Sequence, residues 1–193
     1  VWFLLGQGAD RAEATALAAR FQDPAQVQRA WAGSTELWKN LLDAVQVRTP
    51  DPAMDLLLNH WLLYQSLACR IWGRSAFYQS SGAFGFRDQL QDGMALIHTA
   101  PALTRRHILD AAKRQFEAGD VLHWWHPPSG RGVKTRCSDD LLWLPFVTAH
   151  YIEATGDESI LVEEIPFLHA AALLAGEEDR YGEYGVVGEM GTL

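Results

Sequence analysis

The sequence has few of the features that mark disulfide-stabilised, nucleic-acid-binding and membrane proteins. Its two cysteines, Cys69 and Cys137, lie in unrelated contexts and form no CxxC motif, which predicts reduced thiols in a reducing compartment. Basic residues are scarce, because 16 Lys and Arg stand against 24 Asp and Glu, for a net charge of −8. Nucleic acids and anionic lipid surfaces attract basic proteins, so we expect neither as a partner.

Long apolar runs and a leader are also missing. The most apolar stretch, residues 56–69, contains Asn59, His60 and Gln65 and is too short to span a bilayer. We therefore expect a segment that does not cross a membrane, although a parent protein could be membrane-anchored. The sequence starts without Met or a signal peptide and stops without a helix-capping signal, so we expect a fragment of something larger.

What the sequence does contain is a succession of helical patterns. Apolar residues make up 48% of 193 positions, enough for a real core, and they recur at helical spacing. The predicted helices cover approximately residues 10–21, 24–47, 53–75, 88–98, 101–118 and 138–155, with a weaker one from 157. Residues 121–126 and 133–137 flank a Pro- and Gly-rich turn and predict one β-hairpin. The predicted fold is all-α, with helices in layers or a ring.

The third predicted helix is apolar on most of its faces. Leu56, Trp61, Leu67 and Ile71 are among its large side chains, and a helix that is apolar nearly all round is a buried one. We therefore expect this helix in the core, and we expect its tryptophans to be core residues rather than ligand platforms.

One candidate binding loop runs from Ser81 to Asp92. Its glycines let the backbone approach a ligand closely, and Arg87, Asp88 and Asp92 supply the donors and acceptors that sugar hydroxyls need. The alternative is purely structural: Asp88 lies in the first turn of a helix and Arg87 forms an ion pair with Asp92.

A second candidate lies just after the hairpin, where Asp139 and Asp140 follow Trp124 and Trp125. The like charge of Asp140 and an apolar wall are expected to raise the pKa of Asp139, as a general acid requires. The alternative is that Ser138 is a helix N-cap and that both aspartates favour the helix dipole.

No metal site is expected. His123 and His126 are three positions apart, so on a strand they face opposite sides. Neither a cysteine nor a third histidine is placed to complete a zinc site. The glycines at 82 and 85 lack the Gly-Lys-Ser/Thr of a phosphate-binding P-loop.

Several linked segments resemble glycoside hydrolase family 94. They are Asn59–Gln65, Arg74–Gln79, Gly85–Asp92 and Arg136–Leu144. Within that family, the run from His123 to Thr135 is most similar to the C-terminal domain of cyclic β-1,2-glucan synthases. The resemblance covers roughly residues 50–170, and several motifs in one order are more specific than any single motif.

The resemblance implies a catalytic (α/α)6 barrel, with residues 1–50 as a helical linker and residues 51–193 as a partial barrel. It implies inverting phosphorolysis of a β-glucosidic bond, which releases α-glucose 1-phosphate. One protein carboxylate then suffices, because phosphate is the nucleophile. The expected partners are a β-linked gluco-oligosaccharide and phosphate, no cofactor is expected, and a homodimer is left open. The expected location is the cytoplasm, including the cytoplasmic domain of an inner-membrane protein.

The resemblance also assigns roles residue by residue. Asp139 matches the general acid, and Arg74 matches an arginine that contacts phosphate. Asp88 matches a carboxylate that holds the transferred glucosyl unit. The side chains expected to contact sugar are those of Asp88, Arg87, Asp92, Trp125 and Arg136. The family's other phosphate ligands, a histidine and a hydroxyl residue, belong to the second half of the barrel.

Two departures from cellobiose-type phosphorylases favour a differently linked glucan. Residues 80–85 lack the extra arginine of that Gly-rich stretch, and Cys137 stands where those enzymes tend to have tryptophan. Two other functions stay open. An inverting hydrolase would need a second carboxylate to activate water, and a fragment could bind glucan without turnover.

Overall fold

A computed structural model describes residues 2–75, 77–127 and 129–193. The chain forms two compact units, Val1–Ala44 and Val45–Leu193. Among the described residues, none of the helices is both long and apolar enough to cross a membrane.

The first unit contains two helices whose starts are set by local capping. Helix α1 (Arg11–Arg20) begins after Asp10, whose carboxylate accepts a hydrogen bond from the Glu13 amide. Helix α2 (Pro24–Leu42) begins after Asp23 with proline in its first turn, where the missing N–H costs nothing. Both helices are confirmed, but α2 ends at Leu42, before the expected boundary near residue 47.

The second unit opens with one long helical segment. It runs without a break through α3 (Pro52–Leu56), a π-helical stretch (Leu57–Trp61), α4 (Leu62–Gln65) and a second π-helical stretch (Ser66–Trp72). Asp51 caps it by accepting from the Ala53 amide. The helix is therefore confirmed.

The expectation that this segment is buried all round is wrong. Leu67 and Ile71 are its buried apolar residues, whereas Leu56, Trp61 and Trp72 are largely exposed. An apolar face is buried only where a neighbour covers it. In this unit the segment packs against helix α5 (Phe86–Met94) through its C-terminal end.

Three further helices build the core with the hairpin. They are α5, α6 (Pro101–Ala112) and α7 (Asp140–Thr155), and all three were predicted. Helices α5 and α6 end earlier than expected, α5 begins two residues earlier, and α7 begins two residues later. Helix α7 is terminated by its C-cap residue Gly156, whose φ of +70° is the left-handed conformation that favours glycine. The largest fully buried side chains of this core include those of Phe86, Leu90, Ile108, Leu122, Val147 and Ile160.

The β-structure is more extensive than the single predicted hairpin. The hairpin is confirmed as β2 (Leu122–Trp125) and β3 (Gly132–Thr135). They lie in an antiparallel sheet of order β1-β2-β3-β5, completed by β1 (Phe84–Gly85) and β5 (Asp179–Gly182). A second sheet pairs β4 (Glu164–His169) with β6 (Gly185–Thr192).

The all-α prediction is therefore corrected to a mainly helical fold with small antiparallel sheets. The weak helix expected from residue 157 is a 3-10 turn, Glu158–Val162, followed by β4. Pro166 lies inside β4, and proline in a helix interior removes a hydrogen bond and clashes with the preceding turn. The (α/α)6 barrel stays a prediction.

The hairpin closes on a glycine that admits no side chain. A Cβ built on Gly132 would clash with the carbonyl oxygen of Trp124 and would lie 3.0 Å from the Cβ of Trp125. Both obstacles belong to the paired strand β2, so they cannot swing aside. Gly132 therefore fixes how closely β3 approaches β2.

Gly132→Ala is expected to lower the free energy of unfolding by about 1–3 kcal/mol, the usual cost of overpacking. Gly185→Ala is the matched control, because a Cβ at this strand glycine meets nothing within 4 Å. Urea unfolding followed by far-UV circular dichroism measures both. Equal stability of the two variants would refute the close-approach argument.

Candidate functional site

Strand β1 places the first candidate loop beside the hairpin. Phe84 pairs with Trp125 and Gly85 pairs with Trp124, so the start of α5 lies next to the loop that leads from β3 to α7. The two loops then meet directly, because the Arg87 Nη1 donates to the Asp139 Oδ2 at 2.6 Å. The structure thus brings Arg87 and its sequence neighbour Asp88 to the loop of Asp139, which lies 52 positions further along the chain from Arg87.

Asp139 is held as an anion in this arrangement. Its Oδ1 accepts a hydrogen bond from the Cys137 thiol at 2.9 Å, and its Oδ2 accepts from Arg87. The thiol and then the guanidinium lower the pKa of Asp139 to about 2. The expectation of a raised pKa is wrong for this state, because the Asp139 carboxylate is half-exposed and has two donors rather than an apolar wall.

Asp140 has a different environment from its neighbour. It is 1% exposed, and its Oδ2 lies 2.7 Å from the His123 Nδ1. This hydrogen bond raises the pKa of His123. The sequence did not single out this pair, since the partners are 17 positions apart and lie in different elements.

The N-cap position of α7 is occupied by Asp139, without a side-chain capping hydrogen bond, and Asp140 lies in the first turn. The part of the alternative that made Ser138 the N-cap is therefore wrong, whereas both aspartates do lie at the start of the helix, as it also expected.

The side chain of Asp88 packs against Gly85, a second glycine that leaves no room for a Cβ. A Cβ on Gly85 would clash with the Asp88 Oδ2 and would lie 3.1 Å from its Cγ, so only glycine leaves room for this carboxylate. Burial raises the pKa of Asp88, while neighbouring Arg87 opposes the shift. Asp88 and Asp139 therefore differ in the direction of their pKa shifts although both lie near Arg87.

Three residues that were expected to contact sugar make contacts with other parts of the protein. Asp92 is buried and accepts from the Arg70 Nε at 2.5 Å, so the proposed Arg87–Asp92 ion pair is not the one formed. Trp125 is 3% exposed and stacks on Phe84 with ring centroids 5.6 Å apart. The Arg136 guanidinium donates to the carbonyl oxygens of residues 173, 174 and 177. All three side chains therefore make contacts within the protein, and their expected contacts with sugar stay predictions.

Arg74 lies in a separate cavity of about 410 Å³. Its guanidinium carbon lies 3.4 Å from the centroid of the Phe84 ring, which is a cation–π arrangement. Burial lowers the pKa of Arg74 to about 10, so it stays charged at neutral pH. The expected contact of Arg74 with phosphate stays a prediction.

A metal ion would find possible ligands at the first site. The donor atoms of His123, Cys137 and Asp140 lie within 4.8 Å of one another. The view that no cysteine is placed to help was wrong, because the end of β3 returns Cys137 to the side of β2. Each group already has a hydrogen-bond partner, and the absence of a metal stays a prediction.

The donors around Asp139 make its pKa a direct test of the site. Cys137→Ala and Arg87→Gln are each expected to raise the pKa of Asp139 from about 2 toward the ordinary 3.8. Because the pKa of Asp139 is depressed, the ionised carboxylate stabilises the fold at any pH above the ordinary carboxyl pKa. This contribution is lost as the pH falls toward about 2. Carboxyl ¹³C NMR measures the titration. Cys69→Ala, at an exposed cysteine, should change nothing, and an unchanged pKa in both site variants would contradict this geometry.

The buried Asp140 predicts a stability effect at His123. His123→Ala leaves the carboxylate without this donor and should cost about 2 kcal/mol, less than a fully buried pair because His123 is 35% exposed. His123→Asn restores a donor and should recover part of the loss.

The free energy of unfolding lost in His123→Ala should also depend on pH. The folded pKa of His123 is raised, so the charge-dependent stabilisation is complete below the unfolded pKa of about 6.5 and is lost as pH rises through the folded value. Urea unfolding should therefore show a larger cost of His123→Ala at about pH 5.5 than at about pH 9. The same cost at both pH values would refute the charged pair.

Comparisons with known proteins agree with this arrangement of motifs. The family model described as the glycosyl hydrolase 94 superfamily, catalytic domain, matches residues 37–174. The chain is 52% identical to the cyclic beta-(1,2)-glucan synthase NdvB of Rhizobium meliloti (strain 1021) over 81% of its own length and 6% of that relative. It is 33% identical to the N,N'-diacetylchitobiose phosphorylase of Vibrio furnissii, over 95% of this chain and 27% of that one.

A third relative is the solabiose phosphorylase of Paenibacillus borealis, 30% identical over 68% of this chain and 16% of that protein. The chain thus spans at most 27% of the length of these three relatives. The family match covers more than half of the chain and includes every residue of the two loops described above. The chain belongs to the glycosyl hydrolase 94 superfamily, in the region of its catalytic domain.

Proposed function

We propose that this chain carries the acid and part of the sugar- and phosphate-binding groups for inverting phosphorolysis of a β-glucan. The family supports phosphorolysis or synthesis of glycosides. The observation that carries the finer proposal is the contact of Arg87 with Asp139, because it sets a carboxyl group for proton transfer directly beside the Asp88 loop. No cofactor takes part in this proposal.

The proposed reaction uses phosphate as the nucleophile. A phosphate oxygen forms a bond to the anomeric carbon while the bond from that carbon to the leaving sugar oxygen breaks. The leaving oxygen takes a proton from the Asp139 carboxyl group, and α-glucose 1-phosphate is released with inversion. Asp88 accepts hydrogen bonds from the glucosyl unit, and Arg74 binds the phosphate.

This role requires a change at Asp139 when sugar binds. A carboxylate with a pKa of about 2 has no proton to give at neutral pH. Arg87 must therefore leave Asp139, and the bound sugar must also exclude water from the carboxyl group to raise its pKa above the ordinary value. Hydroxyl groups of the sugar are suitable new acceptors for the Arg87 N–H groups. In the proposal, sugar binding exchanges the ion pair for a protonated acid, so the proton is available only when a substrate occupies the site.

We propose a β-1,2-linked glucan as the substrate class. The support is the identity to a cyclic beta-(1,2)-glucan synthase and the presence of Cys137 at a position where cellobiose-type enzymes tend to have tryptophan. The thiol touches the acid itself, so this departure lies where the leaving sugar must sit. A cytoplasmic location is part of the proposal, since both cysteines are free thiols.

The test is to incubate the protein with phosphate and β-1,2- or β-1,4-gluco-oligosaccharides and to follow products by ³¹P NMR. We expect α-glucose 1-phosphate with a preference for the β-1,2 substrate. Asp139→Asn should lower the rate by about 10²–10⁴-fold, the usual share of a general acid. Asp110→Asn is the matched control, since Asp110 pairs with exposed Lys113 on the outside of α6.

Other products would identify the other candidate functions. Free glucose formed at a rate independent of phosphate would mean hydrolysis. Glucan binding that survives Asp139→Asn, with no glucose 1-phosphate from either protein, would mean a binding fragment. Either result contradicts the proposal.

A further inference from the structure

Three side chains of the types that ligate metals meet beside Asp139. The donor atoms of His123, Cys137 and Asp140 lie within 4.8 Å of one another. These residues belong to separate elements, since His123 is in β2, Cys137 follows β3 and Asp140 begins α7. A tetrahedral zinc ion holds its ligand atoms about 3.5 Å apart. Small side-chain movements would therefore bring all three donors to one ion.

Asp140 has an unused acceptor at this cluster. Its Oδ2 lies 2.7 Å from the His123 Nδ1, whereas its Oδ1 is buried and has no hydrogen-bond partner among the described residues. The whole residue is only 1% exposed. A buried carboxylate oxygen without a partner is costly unless a donor or a cation satisfies it. This oxygen is therefore a second, independent indication of a ligand at the cluster.

The chemistry and the charge of the cluster favour zinc over the other common cations. A thiolate, an imidazole nitrogen and a carboxylate oxygen are the ligand types that zinc binds, whereas magnesium and calcium prefer oxygen alone. Two further carboxylates, Asp88 and Asp139, act electrostatically on these ligands, and Arg87 is the opposing cation. The charge around the donors is therefore negative in balance, which attracts a divalent cation.

We infer that His123, Cys137 and Asp140 form a binding site for zinc(II), with water as the fourth ligand, and that the bound ion inhibits phosphorolysis. Without zinc, hydrogen bonds hold the same groups, from the imidazole to Asp140 and from the thiol to Asp139. The ion replaces the thiol proton, which passes to solvent, and the imidazole binds in its neutral form.

Inhibition follows from the position of the Cys137 thiol, whose sulfur lies 2.9 Å from the Asp139 Oδ1. An ion bound to this sulfur, together with its water, occupies the side of the acid where the leaving sugar must sit. The zinc binding stands on the contacts of the three ligands, and the inhibition rests on the proposed function. The ion takes no part in the reaction, so the proposed reaction still uses no cofactor.

Isothermal titration calorimetry with zinc chloride, in a thiol-free reducing buffer, tests the binding. Cys137→Ser should weaken zinc binding by at least about a hundredfold, because the loss of a hydrogen bond to a ligand alone costs about 10–100-fold. Serine keeps a hydroxyl donor for Asp139, so this variant removes the ligand and preserves the donor. Cys69→Ser, at the exposed cysteine, is the matched control and should bind zinc as tightly as the native chain.

Cobalt(II) gives a second readout that does not depend on activity. It accepts the same ligands as zinc, and a thiolate ligand gives it an absorption band in the near ultraviolet. The band should appear in the native chain and in Cys69→Ser, and it should be absent from Cys137→Ser. His123→Asn keeps a donor for Asp140 but has no imidazole, so it should also lose affinity for zinc while staying folded by far-UV circular dichroism.

Zinc should slow the release of glucose 1-phosphate. At oligosaccharide concentrations well below KM, zinc at about ten times its Kd should lower the rate by about tenfold, and Cys137→Ser should be insensitive to it. Absence of zinc binding, or equal binding by the native chain and Cys137→Ser, would overturn the inference, and so would an active protein that binds zinc without inhibition. Zinc binding that needs His123 and Cys137 in a protein that releases no glucose 1-phosphate would uphold the zinc site and remove the proposed function instead.

Discussion

The backbone register of β1, β2 and β3 is the constraint on which the candidate site depends. Phe84 lies opposite Trp125, and Trp125 lies opposite Gly132. The first pairing places the start of α5 beside the hairpin. The second pairing aligns β3 with β2, so that the loop after β3 and the start of α7 lie at the same end of the hairpin as the start of α5. Because Gly132 permits so close an approach of β3 to β2, the two loops end within hydrogen-bond distance of each other.

In this site, the surroundings of two carboxyl groups shift their pKa values in opposite directions. Asp88 is partly buried, which raises its pKa, and Asp139 has a thiol and a guanidinium as donors, which lower its pKa. Arg87 is the shared neighbour of both. The depressed pKa of Asp139 describes a resting acid, and our account makes two changes prepare it for proton transfer: the loss of the Arg87 contact and the exclusion of water by the bound sugar.

Features encoded locally were predictable from the sequence. Helix starts at Asp10, Asp23 and Asp51 follow from caps and prolines a few positions apart, and the hairpin follows from its turn. The strands β4, β5 and β6 were missed because their pairings join distant segments, and no alternation of polar and apolar residues marks them. The burial of the 52–72 segment was overestimated because an apolar face shows only that it can be covered.

The same distinction between local motifs and long-range contacts applies to the residues of the site. The motifs identified Asp139, Asp88, Arg87 and Arg74 as candidates. They could not tell which donors each would meet, because the Arg87–Asp139 and Arg70–Asp92 contacts span 52 and 22 positions. The contacts of Trp125 and Arg136 within the protein could not be foreseen for the same reason, since their residue types suit a sugar and a core or a loop equally well. The partners of a side chain depend on tertiary packing, which a single sequence does not state.

The most direct test of this account is the pKa of Asp139 measured by carboxyl ¹³C NMR with and without a bound β-1,2-gluco-oligosaccharide. If sugar takes Arg87 from the acid, the pKa should rise from about 2 when the oligosaccharide binds. A pKa that stays at about 2 with the sugar bound would contradict the claim that substrate binding turns this ion pair into a general acid.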